Sequence, residues 1–216
     1  MKILSWDVGI YNLSYCILEK KENEEPKIIA WDIVNLVDNE AMKKDRNLLF
    51  ENIPKKLHEI PELLNVDIVV IENQPSLKNP QMKSIQMILY SYFLILGKII
   101  GSESGSYIGR IEFCSASNKL KVYDGPQIIL EEKKRKKKLV ENENEIENQE
   151  IIPNDEVKKS SSVKYADKKR LAIEHAKYYL EKNIDYKNFF NENKKKDDLS
   201  DSFLQGLYYI KKLTKV

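Results

Sequence analysis

Residues 2–8, KILSWDV, and 11–19, YNLSYCILE, are two apolar, strand-length runs with Gly9 between them. The glycine fits a tight turn between antiparallel strands, so this stretch reads as a β-hairpin and rules out an all-helical fold. KIIAWDIVNL, residues 27–36, extends it to a three-stranded meander. An acid, Asp7, stands near the end of the first strand, in a run that otherwise looks buried.

The periodicity then changes. Leu48, Leu49, Ile53 and Leu57 fall near one helical face, with a bend or restart expected at Pro54. DIVVIE, residues 67–72, is continuously apolar until its terminal acid, which suits a central strand buried on both faces. After QPSLKNP, the segment 81–100 repeats Met82, Ile85, Leu89, Phe93 and Leu96 at helical spacing, and YIGRIEFCSA, residues 107–116, reads as a fifth strand. Amphipathic helices are expected over 165–182 and 197–213. A meander joined to parallel crossover units makes an α/β protein with a mixed five-stranded sheet flanked by helices. A length of 216 residues suits one domain.

Residues 131–162 differ in character: a basic block, an acidic and asparagine-rich block and a serine run, read as a flexible charged insertion. Net charge is only +2, so any case for a polyanionic partner rests on where the lysines lie. KKRKKK at 133–138 would hold phosphates without sequence preference, and Lys78, Lys83 and Lys98 could face a duplex or simply form a polar helix side. Cys16 and Cys114 lie in apolar runs with no CxxC spacing and read as reduced core residues. His58 and His175 both fall in helical patterns and read as structural, which disfavours a histidine-based nucleophile. No signal-peptide layout is visible and the longest apolar run is expected to fall short of a membrane span, pointing to an intracellular, reducing compartment and no membrane partner.

The acids carry the functional argument. Asp7 and Glu72 each end an apolar strand, and open α/β sheets bind ligands in the crevice beyond such ends. In KKDDLSDSF, Asp198 and Asp201 project within roughly 60° of each other at helical spacing, with Leu199, Phe203, Gly206, Leu207 and Ile210 opposite. Acids in a first helical turn also serve as caps, but three here, counting Asp197, exceed what capping needs. Converging carboxylates repel: one pair about 4 Å apart costs roughly 4 kcal/mol at an effective dielectric near 20. A divalent cation reverses that sign, and oxygen-only ligands select magnesium, with manganese as a substitute. Two such ions could activate a water and stabilise the leaving oxygen of a phosphodiester.

SWDVGIYNLSYCI, VVIENQPSLKNPQMKSIQMILYSYF, KYADKKRLAIEHA and KKDDLSDSFLQGLYYI, in this order, resemble the poxvirus-type Holliday junction resolvases, relatives of RuvC and of the fungal mitochondrial resolvases within the RNase H-like superfamily. The resemblance implies an RNase H-like fold and a homodimeric endonuclease, with two magnesium ions per active site, that cuts four-way DNA junctions symmetrically. The family acids match Asp7, Glu72, Asp198 and Asp201 as catalytic and metal-ligating residues. The resemblance also implies an active-site lysine in Tyr165–Arg170, where Lys168 and Lys169 are both candidates. Lys78, Lys83, Lys164, Lys169 and Arg170 are the expected DNA contacts. A viral factory or infected-cell cytoplasm follows for a viral chain, and nucleus or mitochondrion otherwise.

Competing readings are an RNA·DNA-hybrid or transposon-type nuclease of the same fold, a junction-binding protein without catalysis, and an actin-like ATP-binding module. The last needs a second glycine-rich phosphate loop, which the seven glycines here do not form.

Overall fold

A computed structural model describes residues 1–77, 79–101, 107–128, 130 and 165–214. The expected insertion at 131–162 lies outside them. The sheet has five strands: β1 (Lys2–Val8), β2 (Asn12–Glu19), β3 (Lys27–Asn35), β4 (Ile68–Asn73) and β5 (Arg110–Ser115). Their order is β3-β2-β1-β4-β5. The β1–β2 and β2–β3 pairs are antiparallel and the β1–β4 and β4–β5 pairs parallel, so the expected mixed sheet forms. Between β1 and β2, a side chain at Gly9 would overlap the carbonyl oxygen of Asn12, which is why the turn beside Asp7 takes glycine.

Strand alternation sorts the core into two layers. Leu4, Trp6 and Val8 of β1, Leu13, Tyr15 and Ile17 of β2 and Val69 and Ile71 of β4 face helices α1 (Glu40–Lys44), α2 (Arg46–His58) and α3 (Pro80–Tyr92). Ile3, Cys16, Leu18, Ile68 and Val70 face the other layer, formed by α4 (Tyr165–Leu180), α5 (Ile184–Glu192) and α6 (Lys196–Thr214). Full burial of each such aliphatic side chain contributes about 1.5–3 kcal/mol. By the same alternation Asp7, following Ile3 and Ser5, and Glu72, following Ile68 and Val70, belong to the α6 face. The sheet's own period therefore puts both acids on one side.

Several elements differ from expectation. Helix α2 runs through Pro54 without ending, and its buried Leu49, Ile53 and Leu57 offset the lost backbone bond. Helix α3 is capped by Asn79, whose side chain accepts from the Met82 amide, and passes into a π-helical stretch at Phe93–Ile100. Pro80–Ile100 is 21 residues long with mean hydropathy 1.3, long and apolar enough by those measures to cross a bilayer, where a shorter run was expected. In the fold it lies against the sheet with Ile85, Leu89 and Phe93 fully buried. Helix α5 was not anticipated; its Phe190 stacks on Trp31 of β3 at a centroid distance of 5.4 Å. Cys16 and Cys114 are free and buried, as expected. His175 is buried and stacks on Tyr123, whereas His58 is exposed.

Candidate active site

Where β1 and β4 end beside the first turns of α6, a cleft of ≈ 640 Å³ opens, and Asp7, Glu72, Asp198 and Asp201 all line it. Parallel pairing sets Ile71 level with Trp6, so Glu72 and Asp7 leave the sheet side by side. Helix α6 supplies the other two acids from successive turns, with Leu199, Phe203, Leu207 and Ile210 buried beneath them as the sequence stripe implied. Gly206 permits that approach: a Cβ there would come within 2.8 Å of Leu18 Cδ1 and 3.2 Å of Ser5 Cβ.

The centre of the cluster is a lysine that sequence reading did not single out. Lys119 Nζ donates to Asp7 Oδ1 at 2.6 Å and to Asp201 Oδ2 at 2.9 Å, and lies 3.4 Å from Glu72 Oε1. Its side chain is only 5% exposed. Lys119 comes from a 3-10 turn, Ala116–Val122, that starts where β5 ends, capped by the Ser115 side chain. Because β5 runs parallel to β4 with Ser115 paired to Asn73, whatever follows β5 emerges at the edge where Glu72 lies. That topological relation is the signal that could have found it; the local sequence SNKLKV carries none.

Burial dominates the electrostatics. It pushes the Glu72 carboxyl up to about 8, reinforced by the charge of Asp7 and opposed by Lys119. Burial, then the charges of Asp197 and Asp7, raises Asp198 to about 6. Asp201 also rises to about 6 through burial, with Lys119 pulling it down and Asp7 pushing it up. Burial works against the Lys119 ammonium, but Asp7, Asp201 and Glu72 outweigh it and hold the group charged well above the usual lysine range.

The Lys119 ammonium bonds to Asp7 and Asp201 and lies beside Glu72, and every acid ligand atom the cleft offers is a carboxylate oxygen. That donor chemistry fits a hard divalent cation. Among the described residues no three acid, imidazole or thiol groups form a ready-made metal cage; Asp7, Glu72 and Asp201 instead share the Lys119 ammonium.

The basic residues divide. Lys168 and Lys169 of α4 line the cleft, and Lys169 Nζ pairs with Asp197 at 2.5 Å, which lowers the Asp197 carboxyl against the opposing effect of its burial. Arg170 lies 3.6 Å from Asp167 on the same helix. Lys83 is tied inward, donating to Asn73 Oδ1 and Gln86 Oε1, both at 3.2 Å, and sits over the Phe113 ring. Gln86 Oε1 also accepts from the Gln74 amide at 2.8 Å, which braces the segment just after Glu72. Lys78 and Lys164 fall outside the described residues.

Residues 3–87 match the protein family described as mitochondrial resolvase Ydc2 / RNA splicing MRS1. An uncharacterised protein of Acanthamoeba polyphaga mimivirus, L451, is 36% identical over 169 residues, covering 74% of this chain but 33% of that protein, so the chain spans about a third of its relative's length. Among solved structures, the fowlpox virus resolvase bound to its substrate Holliday junction DNA superposes with a TM-score of 0.57 at 19% identity, over 99% of each chain. The yeast mitochondrial Holliday junction resolvase Ydc2 gives 0.58 at 16% identity, over 96% of this chain and 78% of that one. Thermus thermophilus RuvC with a Holliday junction substrate gives 0.50 at 9% identity, over 100% and 96%. At such identities the structural likeness establishes the fold: this is the RNase H-like architecture of the RuvC-like resolvases, as the sequence resemblance implied.

Proposed function

We propose that the chain is a junction-resolving endodeoxyribonuclease, cutting opposite strands of four-way DNA junctions with the help of divalent metal, magnesium first and manganese as a substitute. The carrying observation is the meeting of Asp7, Glu72, Asp198 and Asp201 in one cleft around Lys119, on a fold shared with proteins solved on Holliday junction DNA. The matching family spans a resolvase and an RNA-splicing protein, and the convergence of four carboxylates in one cleft favours the nuclease reading.

The reaction is hydrolysis: a water oxygen bonds to phosphorus, the P–O3′ bond breaks, and 5′-phosphate and 3′-hydroxyl ends result. Two divalent cations held by Asp7, Glu72, Asp198 and Asp201 would supply an activated water and offset charge on the leaving oxygen. The protein's own groups do the rest. Lys119 limits repulsion among the acids and brings a fixed positive charge to a phosphate oxygen entering the cleft. Lys168 and Lys169 at the cleft, with Arg170 on the same helix, draw in the sugar–phosphate backbone without reading bases. Lys78, Lys83, Lys164 and the basic block at 133–138 would add phosphate affinity of the same sequence-independent kind.

Symmetric cutting calls for two active sites, and we assign the second to another copy of the chain. Pro54, Met87, Ile95 and Leu96 line an apolar groove on the outer side of α3 and its π-helical extension, on a segment only 33% buried in this chain. An isologous pairing along that helix would cover it.

The test is a labelled synthetic four-way junction incubated with and without magnesium, beside a linear duplex, an RNA·DNA hybrid and an Asp7→Asn variant. Paired nicks in opposite strands of the junction, dependent on metal and reduced about 10²- to 10³-fold in the variant, are expected. Faster cleavage of the hybrid would reassign the substrate, and binding without cleavage would remove the enzyme.

A further inference from the structure

Between the sheet and α6 the packing is not purely apolar. Five polar or amphipathic side chains, Ser5, Ser14, Trp31, Ser202 and Gln205, are buried there at 0–4% exposure. Ser14 and Ser202 hydroxyls lie 2.8 Å apart. Ser202 also donates to the Leu199 carbonyl at 3.0 Å, and Trp31 Nε1 reaches that same carbonyl at 3.1 Å and the Ser202 hydroxyl at 3.3 Å. One turn on, Gln205 Nε2 donates to Ser5 Oγ at 3.1 Å and to the Trp6 carbonyl at 3.0 Å.

These contacts bear a consistent relation to the acids. Ser14 is the cross-strand partner of Asp7, and Ser202 follows Asp201 directly. The Trp6 carbonyl held by Gln205 belongs to the peptide unit entering Asp7. Leu199, whose carbonyl takes two bonds, follows Asp198. A greasy helix stripe can rotate or slide by a fraction of a turn at little expense, whereas directional bonds between buried groups accept one height and one rotation. Gln205 Oε1 has no partner among the described residues, a penalty that only its Nε2 contacts offset.

Resting on the nuclease reading above, we infer that Ser14, Ser202 and Gln205 are positioning residues: their bonds peg α6 to β1 and β2 so that Asp198 and Asp201 face Asp7 at the separation the cations require. None of the three touches substrate. Their effect passes through the acids beside them.

The test pairs Ser14→Ala with Ser202→Ala in one protein. Removing both hydroxyls strands neither partner, so the fold should hold and the metal-free unfolding midpoint should stay within a few degrees. Magnesium titration followed by thermal unfolding should show the half-saturating concentration rising about 10-fold, in the range for groups that orient metal ligands. Cleavage at saturating junction should fall about 10- to 100-fold while junction affinity in the absence of magnesium is unchanged. Gln205→Met, of similar volume, should shift the magnesium midpoint in the same direction. An unchanged magnesium midpoint overturns the proposal, whether activity survives or falls together with stability. If the double variant does not fold, Ser14→Ala alone carries the same readouts, because Ser202 keeps the Leu199 carbonyl. If the unaltered chain binds magnesium but cuts no junction, the functional reading fails while the titration still judges the pegging.

Discussion

The ammonium of Lys119 lies 2.6 Å from the carboxylate of Asp7, although the two residues are 112 apart in the chain. The same group bonds to Asp201, so one side chain from the turn after β5 bridges β1 and α6. Replacing it tests how the cluster is held. Lys119→Gln leaves buried acids without their counter-charge, and in metal-free buffer it should cost about 3–5 kcal/mol of stability, the range for breaking a buried pair. Urea unfolding measures this directly, and magnesium or manganese should restore part of the loss. A midpoint equal to that of the unaltered chain would show that Lys119 is not the counter-ion.

Acidity gives a second expectation. Glu72, Asp198 and Asp201 are raised in the folded chain to about 8, 6 and 6 from ordinary values of 4.5, 3.8 and 3.8. Folding therefore takes up protons at these groups, so their contribution to metal-free stability is complete only below their ordinary values of 3.8 and 4.5 and is lost as pH rises through about 6 and then about 8. A cation needs the deprotonated forms, so its stabilisation should grow over the same interval. Melting curves at pH 5.5, 7 and 8.5, with and without about 10 mM magnesium, should diverge with rising pH. Parallel curves would contradict the arrangement.

The outer side of α3 makes a third. Met87 and Ile95 are 42% and 49% exposed in a single copy and flank the apolar groove. Met87→Glu with Ile95→Glu should convert a dimer to a monomer in sedimentation equilibrium, with the metal-free melting point of the monomer little changed. A monomeric parent chain would remove the pairing and leave the cleft intact.

Gly9 makes the fourth. With a methyl group there, the Asn12 carbonyl must move, and the turn beside Asp7 moves with it. Gly9→Ala should lower stability by about 1–3 kcal/mol, the usual range for overpacking, and should also weaken magnesium binding. Stability lost without any change in metal affinity would mean that the turn does not govern Asp7.

The parts of the fold legible in the sequence are those with a period. Asp7 and Glu72 were legible because each interrupts an apolar strand, and strand alternation then sends both to one face. Asp198 and Asp201 were legible because their spacing of three belongs to a helix whose opposite stripe is apolar. Lys119 was hidden because it sits in a single 3-10 turn, too short to have a period, and is one lysine in a chain holding 36 lysines and arginines. Lys168 and Lys169, which the family resemblance points to, line the cleft, while the ammonium bonded to Asp7 and Asp201 is that of Lys119. Helix α5 is not legible because IDYKNFFNE is short and largely polar, and tertiary contacts of Tyr186, Phe189 and Phe190 with Trp31 mark its inner side. Pro54 misled because its local cost is visible in sequence while the burial of Leu49, Ile53 and Leu57 is not.

The acids are divided between β1, β4 and α6, so they reach the ribosome exit at widely separated times. A growing polypeptide that has not yet reached Asp198 holds Asp7 and Glu72 but lacks half of the carboxylates. Partly translated copies, and fragments clipped anywhere between β4 and α6, therefore lack the complete acid cluster.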